Sequence, residues 1–169
     1  MLVLLWVAAD AHAVSNGQIY ARLTLFDGCV VTSGRPSAFG ELQGEGPRLD
    51  FGDRGPTWTS ALKASVNATV MGRLAVACSS SVADIRVAID AGLHGDGSTR
   101  RLSNGRQTLP YQLFLDPANT ESYRINQPHP YSLLGRSSLL IPIYGWLTSN
   151  SHALASGIYS DTLTVTLDW

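Results

Sequence analysis

Apolar and polar residues alternate with a period of two over several stretches of this chain, and no stretch repeats at the helical period over eleven residues. At 159–169, "YSDTLTVTLDW", Tyr159, Asp161, Leu163, Val165, Leu167 and Trp169 fall on one face, and Ser160, Thr162, Thr164, Thr166 and Asp168 on the other. Alternation carried by Thr, Val and Leu predicts a β-strand with one buried face. The same period runs through 18–26, "QIYARLTLF", with Ile19, Ala21, Leu23 and Leu25 together. Each end of the chain thus carries a strand pattern. Between them, "GCVVTSG" (28–34) reads as a short strand ending in a Gly turn. "SVNATVMGRLAVACS" (65–79) is a long alternating run with Gly72 marking a bulge. Asn67-Ala68-Thr69 fits the glycosylation triplet but falls within that strand pattern. "DIRVAIDAG" (84–92) places Ile85, Val87 and Ile89 on one face, and "TLPYQLFLD" (108–116) does so with Leu109, Tyr111, Leu113 and Leu115. "LLIPIYGWL" (139–147) reads as one strand, at an edge or bulged because of Pro142.

The remaining segments are punctuated by Gly, Pro, Ser and Asn. Residues 35–58 read as loop, with "RLDF" (48–51) a short strand inside it. Residues 93–107 form a turn-rich excursion in which Asn104-Gly105 signals a hairpin. Residues 117–138 read mostly as loop with a short strand at Tyr123, and "ALASG" (153–157) offers one turn of helix. Many short strands joined by turns predict an all-β sandwich.

With 169 residues the chain suits one domain with a real core. Charged residues are 15% and the formal net charge is −1, so no global field attracts nucleic acid or an anionic membrane. Residues 1–13, "MLVLLWVAADAHA", have the form of a secretory signal, with small Ala11 and Ala13 before the cleavage point. The apolar run is too short to span a bilayer. A basic start is missing, which leaves the true start site open. In an exported chain the even cysteine count, Cys29 and Cys78, points to a disulfide; two buried thiols are the alternative. Closing a loop of about 50 residues contributes roughly 4 kcal/mol in the chain-entropy model.

Little in the chain points to chemistry. His12, His94, His129 and His152 are scattered without ligand spacing, and there is no CxxC, so no metal site is expected. Lys63 is the one lysine and no phosphate loop surrounds it. "GRSSLL" lacks the trailing Gly of a nucleophile elbow. Asp27, Asp50, Asp90 and Asp116 sit at strand ends as turn residues rather than as a catalytic pair. Arg100-Arg101 is too small a patch for nucleic acid. No catalytic residue and no cofactor is expected, and the chain does not read as an enzyme.

Several stretches occur in a specific order: "LDFG" (49–52), "VACS" (76–79), "RVAIDAG" (86–92), "RRL" (100–102), "LPYQLFLD" (109–116), "IPIYG" (141–145) and the closing "GIYSDTLTVTLDW" (157–169). Together they resemble the spore coat protein U domain family, which includes the pilin subunits of archaic chaperone–usher pili. Leu102 stands where the family often has Met, and Ile158 where it often has Thr. The resemblance implies an incomplete immunoglobulin-like β-sandwich completed by a donor strand from another subunit. Such a subunit lacks its seventh strand, and an apolar groove results. A periplasmic chaperone fills the groove first; at the outer-membrane usher the N-terminal extension of the next subunit replaces it.

Carried onto this sequence, the resemblance makes 14–26 the donor, with Ile19, Ala21, Leu23 and Leu25 entering a neighbour's pockets, and 27–169 the pilin domain. Periodicity alone would instead make 18–26 the domain's own first strand. Leu163, Val165 and Leu167 border the groove, and a Cys29–Cys78 bridge pins the first strand of the body. The implied partners are other subunits of a homo- or hetero-polymer, the chaperone and the usher. The implied route runs through the periplasm to a surface pilus serving adhesion or biofilm formation, with one domain fitting a shaft subunit. Two other readings stand beside it: a spore or cell coat protein of the same fold, and a carbohydrate-binding sandwich using Trp58 and Trp146.

Overall fold

The computed structural model describes residues 28–33, 47–66 and 74–169. Within them run the strands β1 (Cys29–Ser33), β2 (Leu62–Ser65), β3 (Leu74–Cys78), β4 (Asp84–Ile89), β5 (Arg100–Ser103), β6 (Thr108–Phe114), β7 (His129–Ser132), β8 (Ser138–Leu140), β9 (Tyr144–Leu147) and β10 (Val165–Asp168). They pair in the orders β1-β3-β8, β10-β4-β7 and β2-β9-β6-β5, and each of these strand pairs is antiparallel. No helix occurs among the described residues, and 153–157 form no helical turn. The fold is all-β, as the alternation requires.

The inward faces meet in one core. Ile85, Val87 and Ile89 of β4 are fully buried, as are Val76 of β3 and Ile141, with Leu113 of β6 nearly so. Asn104-Gly105 turns β5 into β6, with the Asn104 side-chain oxygen accepting from the Arg106 and Gln107 amides. The carboxylates of Asp50, Asp90 and Asp116 accept from backbone N–H groups just downstream, at Gly52, Gly92 and Thr120 respectively, which is the turn role their positions suggest.

Four further readings of the pattern need correction. The run 139–147 is two strands in different sheets: β8 pairs with β3, and β9 pairs with β2 and β6. Pro142 lies between them, where a missing N–H costs nothing, and Ile141 and Ile143 on either side are both buried. Residues 48–51 are not a strand; Leu49 and Phe51 instead cover Gly145 of β9, where a Cβ would stand 2.4 Å from Leu49 Cδ2 and 2.6 Å from Phe51 Cζ. The excursion 93–107 contains β5. Residues 129–132, read within a loop, form β7, which carries Pro130 at a sheet edge, where proline is tolerated; Ser65, read as the start of the run 65–79, instead ends β2. The alternating run 18–26, the glycosylation triplet at 67–69 and Gly72 lie outside the described residues.

Candidate functional site: two strands paired on one side

Among the described residues β1 pairs only with β3, and β10 only with β4. Directly opposed residues of an antiparallel pair project on the same face. Val31 of β1 stands opposite Val76, which is 0% exposed, so Val31 faces the interior; yet Val31 is 44% exposed. Across the molecule Val165 and Leu167 of β10 stand opposite Ile89 and Val87, both fully buried, and are themselves only half-buried. Leu163, just before β10, is likewise half-buried and packs against the core. Each edge thus carries inward-facing apolar side chains that stay partly exposed, and among the described residues no further strand pairs beyond either edge. The two edges meet at one end: the Trp169 indole, following β10, lies 4.0 Å from where a Cβ of Gly28, preceding β1, would stand.

A polar knot fixes where β10 runs. Ser160 pairs with Ser103 of β5 through reciprocal backbone bonds of 2.9 and 3.0 Å, whereas Thr162 and Thr164 accept from Leu93 and Asp90 beyond β4. The segment therefore crosses from one sheet to another at Asp161. The Asp161 side chain is 2% exposed; it accepts from Tyr111 Oη at 2.8 Å and from the His94 amide at 3.0 Å. His94 Nδ1 lies 3.3 Å from the same carboxylate without hydrogen-bond geometry. Gly92 permits the approach: a Cβ there would stand 2.0 Å from Asp161 Oδ2. Burial, then the bond to Asp161, pushes the Tyr111 hydroxyl far above the usual tyrosine range. Beside it, buried Arg100 donates to the carbonyls of Asp90, Tyr123 and Ile89 at 2.8–2.9 Å. Burial draws the Arg100 pKa down, against the opposing pull of Tyr111, Asp90 and Asp161. Asp90 Oδ1 accepts from Thr164 N at 3.0 Å, tying the crossover to the end of β4. Burial pushes the Asp90 carboxyl up, but hydrogen bonds from Thr164 and Gly92 and the Arg100 charge outweigh it and hold the pKa below the usual range.

Cys29 and Cys78 are disulfide-bonded across the first β1–β3 pair. The proposed donor residues Ile19, Ala21, Leu23 and Leu25 lie outside the described residues. Trp58 donates its indole N–H to Thr148 O at 2.8 Å and packs against the core, while Lys63 Nζ sits 4.8 Å above the Trp146 ring. The alternation and the motifs gave no buried polar role to Arg100 or Asp161. A signal for Asp161 exists, because it stands in phase with Leu163, Val165 and Leu167 on the face that goes inward.

The model of the Spore Coat Protein U domain matches residues 15–166. No curated protein matches at the sequence level. Among solved structures, the CsuC–CsuE chaperone–tip adhesion subunit pre-assembly complex from archaic chaperone–usher Csu pili of Acinetobacter baumannii is similar to this chain at 15% identity and a TM-score of 0.54; the match covers 86% of this chain and 40% of that one. A chaperone–tip adhesin complex of CFA/I fimbriae shares 15% identity over 71% of this chain and 38% of that one, with a TM-score of 0.44, too low to carry an argument. The matched family model covers most of the chain, and this protein belongs to the spore coat protein U domain family.

Proposed function

We propose that this chain is a structural subunit of a surface pilus, and that it accepts a strand between β1 and β10 from a chaperone during transit and then from the next subunit. The observation that supports this most is the mismatch across the two edges. Val31, Val165 and Leu167 face inward opposite fully buried partners and remain partly uncovered. An added strand would supply backbone partners for both edges and cover these side chains. An open apolar edge is otherwise an aggregation hazard, which a chaperone would suppress. In this reading residues 1–13 serve as export leader, 14–26 as donor and 27–169 as acceptor body, and the assembled fibre serves adhesion or biofilm formation.

The test is deletion of residues 14–25, with expression alongside the cognate chaperone and usher. The shortened subunit should still be captured by the chaperone but should add no further subunits. Long fibres built from it alone would refute donation. Leu23→Arg, which places a charge in an apolar groove, should lower fibre yield strongly; unchanged yield would exclude pocket insertion at that position.

A further inference from the structure

We infer that the Cys29–Cys78 bridge is a mechanical clamp, placed where load enters the subunit from its donor segment; this rests on the strand-donation reading. If 14–26 is seated in a neighbour, tension along the fibre reaches the body at Gly28. At that point three connections converge on the end of β3. Gly28 N donates to Ser79 Oγ at 3.2 Å, Ser79 N donates to Gly28 O at 2.9 Å, and Cys29 is joined to Cys78. The strand that receives the load, β1, is paired on one side among the described residues. Pulled from its first residue, it would separate from β3 one pair at a time, from Cys29↔Cys78 towards Ser33↔Leu74. Such bonds are individually weak. The bridge sits on the first of these pairs, so separation cannot begin. Load passes instead to β3, which is paired on both sides, with β1 and β8, and carries buried Leu74 and Val76 into the core.

The consequence is larger than the protection of one strand. β1 follows the donor segment and also supplies Val31 to the accepting edge, so it belongs to both joints the subunit makes. Losing β1 would open the joint to one neighbour and the joint to the other. A single covalent bond at Cys29 guards both. It also withholds the segment between the cysteines, a sequence separation of 49, from extension.

The test is to pull single fibres of the full chain, assembled with chaperone and usher, before and after treatment with a phosphine reductant. Reduction after assembly needs no refolding. Oxidised fibres should show no release of the bridged segment. Reduced fibres should yield at a force lower by twofold or more, with an added length per subunit of about 160–175 Å, from the reach of an extended chain. Equal yield force before and after reduction would overturn the clamp. So would fibres that fall apart on reduction without load, since the bridge would then be a thermodynamic staple. If no fibre forms, strand donation itself fails. The same comparison on single full-length chains held by tags at both ends then decides the clamp alone, with β1 expected to yield first and at lower force only when reduced.

Discussion

β4 and β10 are neighbours with the same sequence pattern and different burial. Both alternate strictly, and they pair residue for residue from Val165↔Ile89 to Asp168↔Arg86. Yet Ile85, Val87 and Ile89 are completely buried, whereas Val165 and Leu167 are half-covered. The difference lies in their neighbours. β4 is flanked by β7 and β10; β10 is flanked by β4 alone among the described residues. Alternation reports which face a side chain points to. Coverage depends on what stands beside the strand, which no local pattern contains.

The comparison can be broken most severely at the end of β4. Arg100→Ala would leave the carbonyls of Asp90 and Tyr123 without this donor, at about 1–3 kcal/mol for each buried group left unpaired, while the Ile89 carbonyl would keep the Asn126 amide. Urea unfolding should show a larger loss than either core truncation below, and a loss under about 1 kcal/mol would mean that water or neighbours replace the guanidinium. Next comes Ile89→Ala, expected to cost about 2–5 kcal/mol as a core truncation whether or not a strand has been added. Leu167→Ala sharpens the contrast. In the isolated subunit it should cost well under the about 2–5 kcal/mol of a fully buried leucine, and in the assembled fibre it should approach that range. Equal cost in both states would mean that nothing comes to cover β10.

The smallest effect is set by pH. The Asp90 carboxyl is held below its usual range by Thr164, Gly92 and Arg100, against the opposing push of burial. Its contribution is therefore complete above the unfolded value of about 3.9 and is lost as pH falls through the folded value. Because Asp90 receives Thr164 N, acid should loosen the β4–β10 junction. Asp90→Asn should flatten the dependence of unfolding midpoint on pH below about 4, relative to the parent. An unchanged profile would assign the acid sensitivity to other carboxylates.

Much of the frame was legible because its strands are amphipathic. β4, β6 and the inward residues of β10 follow directly from period two, and the Asn104-Gly105 hairpin from its turn residues. Ordered motifs carried the family. What stayed hidden had physical reasons. An apolar run through Pro142 looks continuous although it changes sheets there, because Ile141 and Ile143 are buried on both sides of the change. β7 is short, half-exposed and contains Pro130, so it has no strand signature. The loop carrying Leu49 and Phe51 has a strand's composition, but its apolar side chains lie over the glycine at 145. Arg100 escapes a pattern-based reading because it stands in a turn-rich stretch with no alternation, and Asp161 because a carboxylate is expected in solvent even where it falls in phase with an inward face; both side chains are nonetheless buried.

The most direct measurement is amide hydrogen exchange along β10, comparing the isolated subunit with the assembled fibre. If a neighbour's strand pairs with this edge, the β10 amides that do not donate to β4 should exchange freely in the subunit and slow by at least about a hundredfold in the fibre, as local opening gives way to global unfolding. Amides equally protected in both states would mean that the subunit closes this edge itself and that no strand is accepted there.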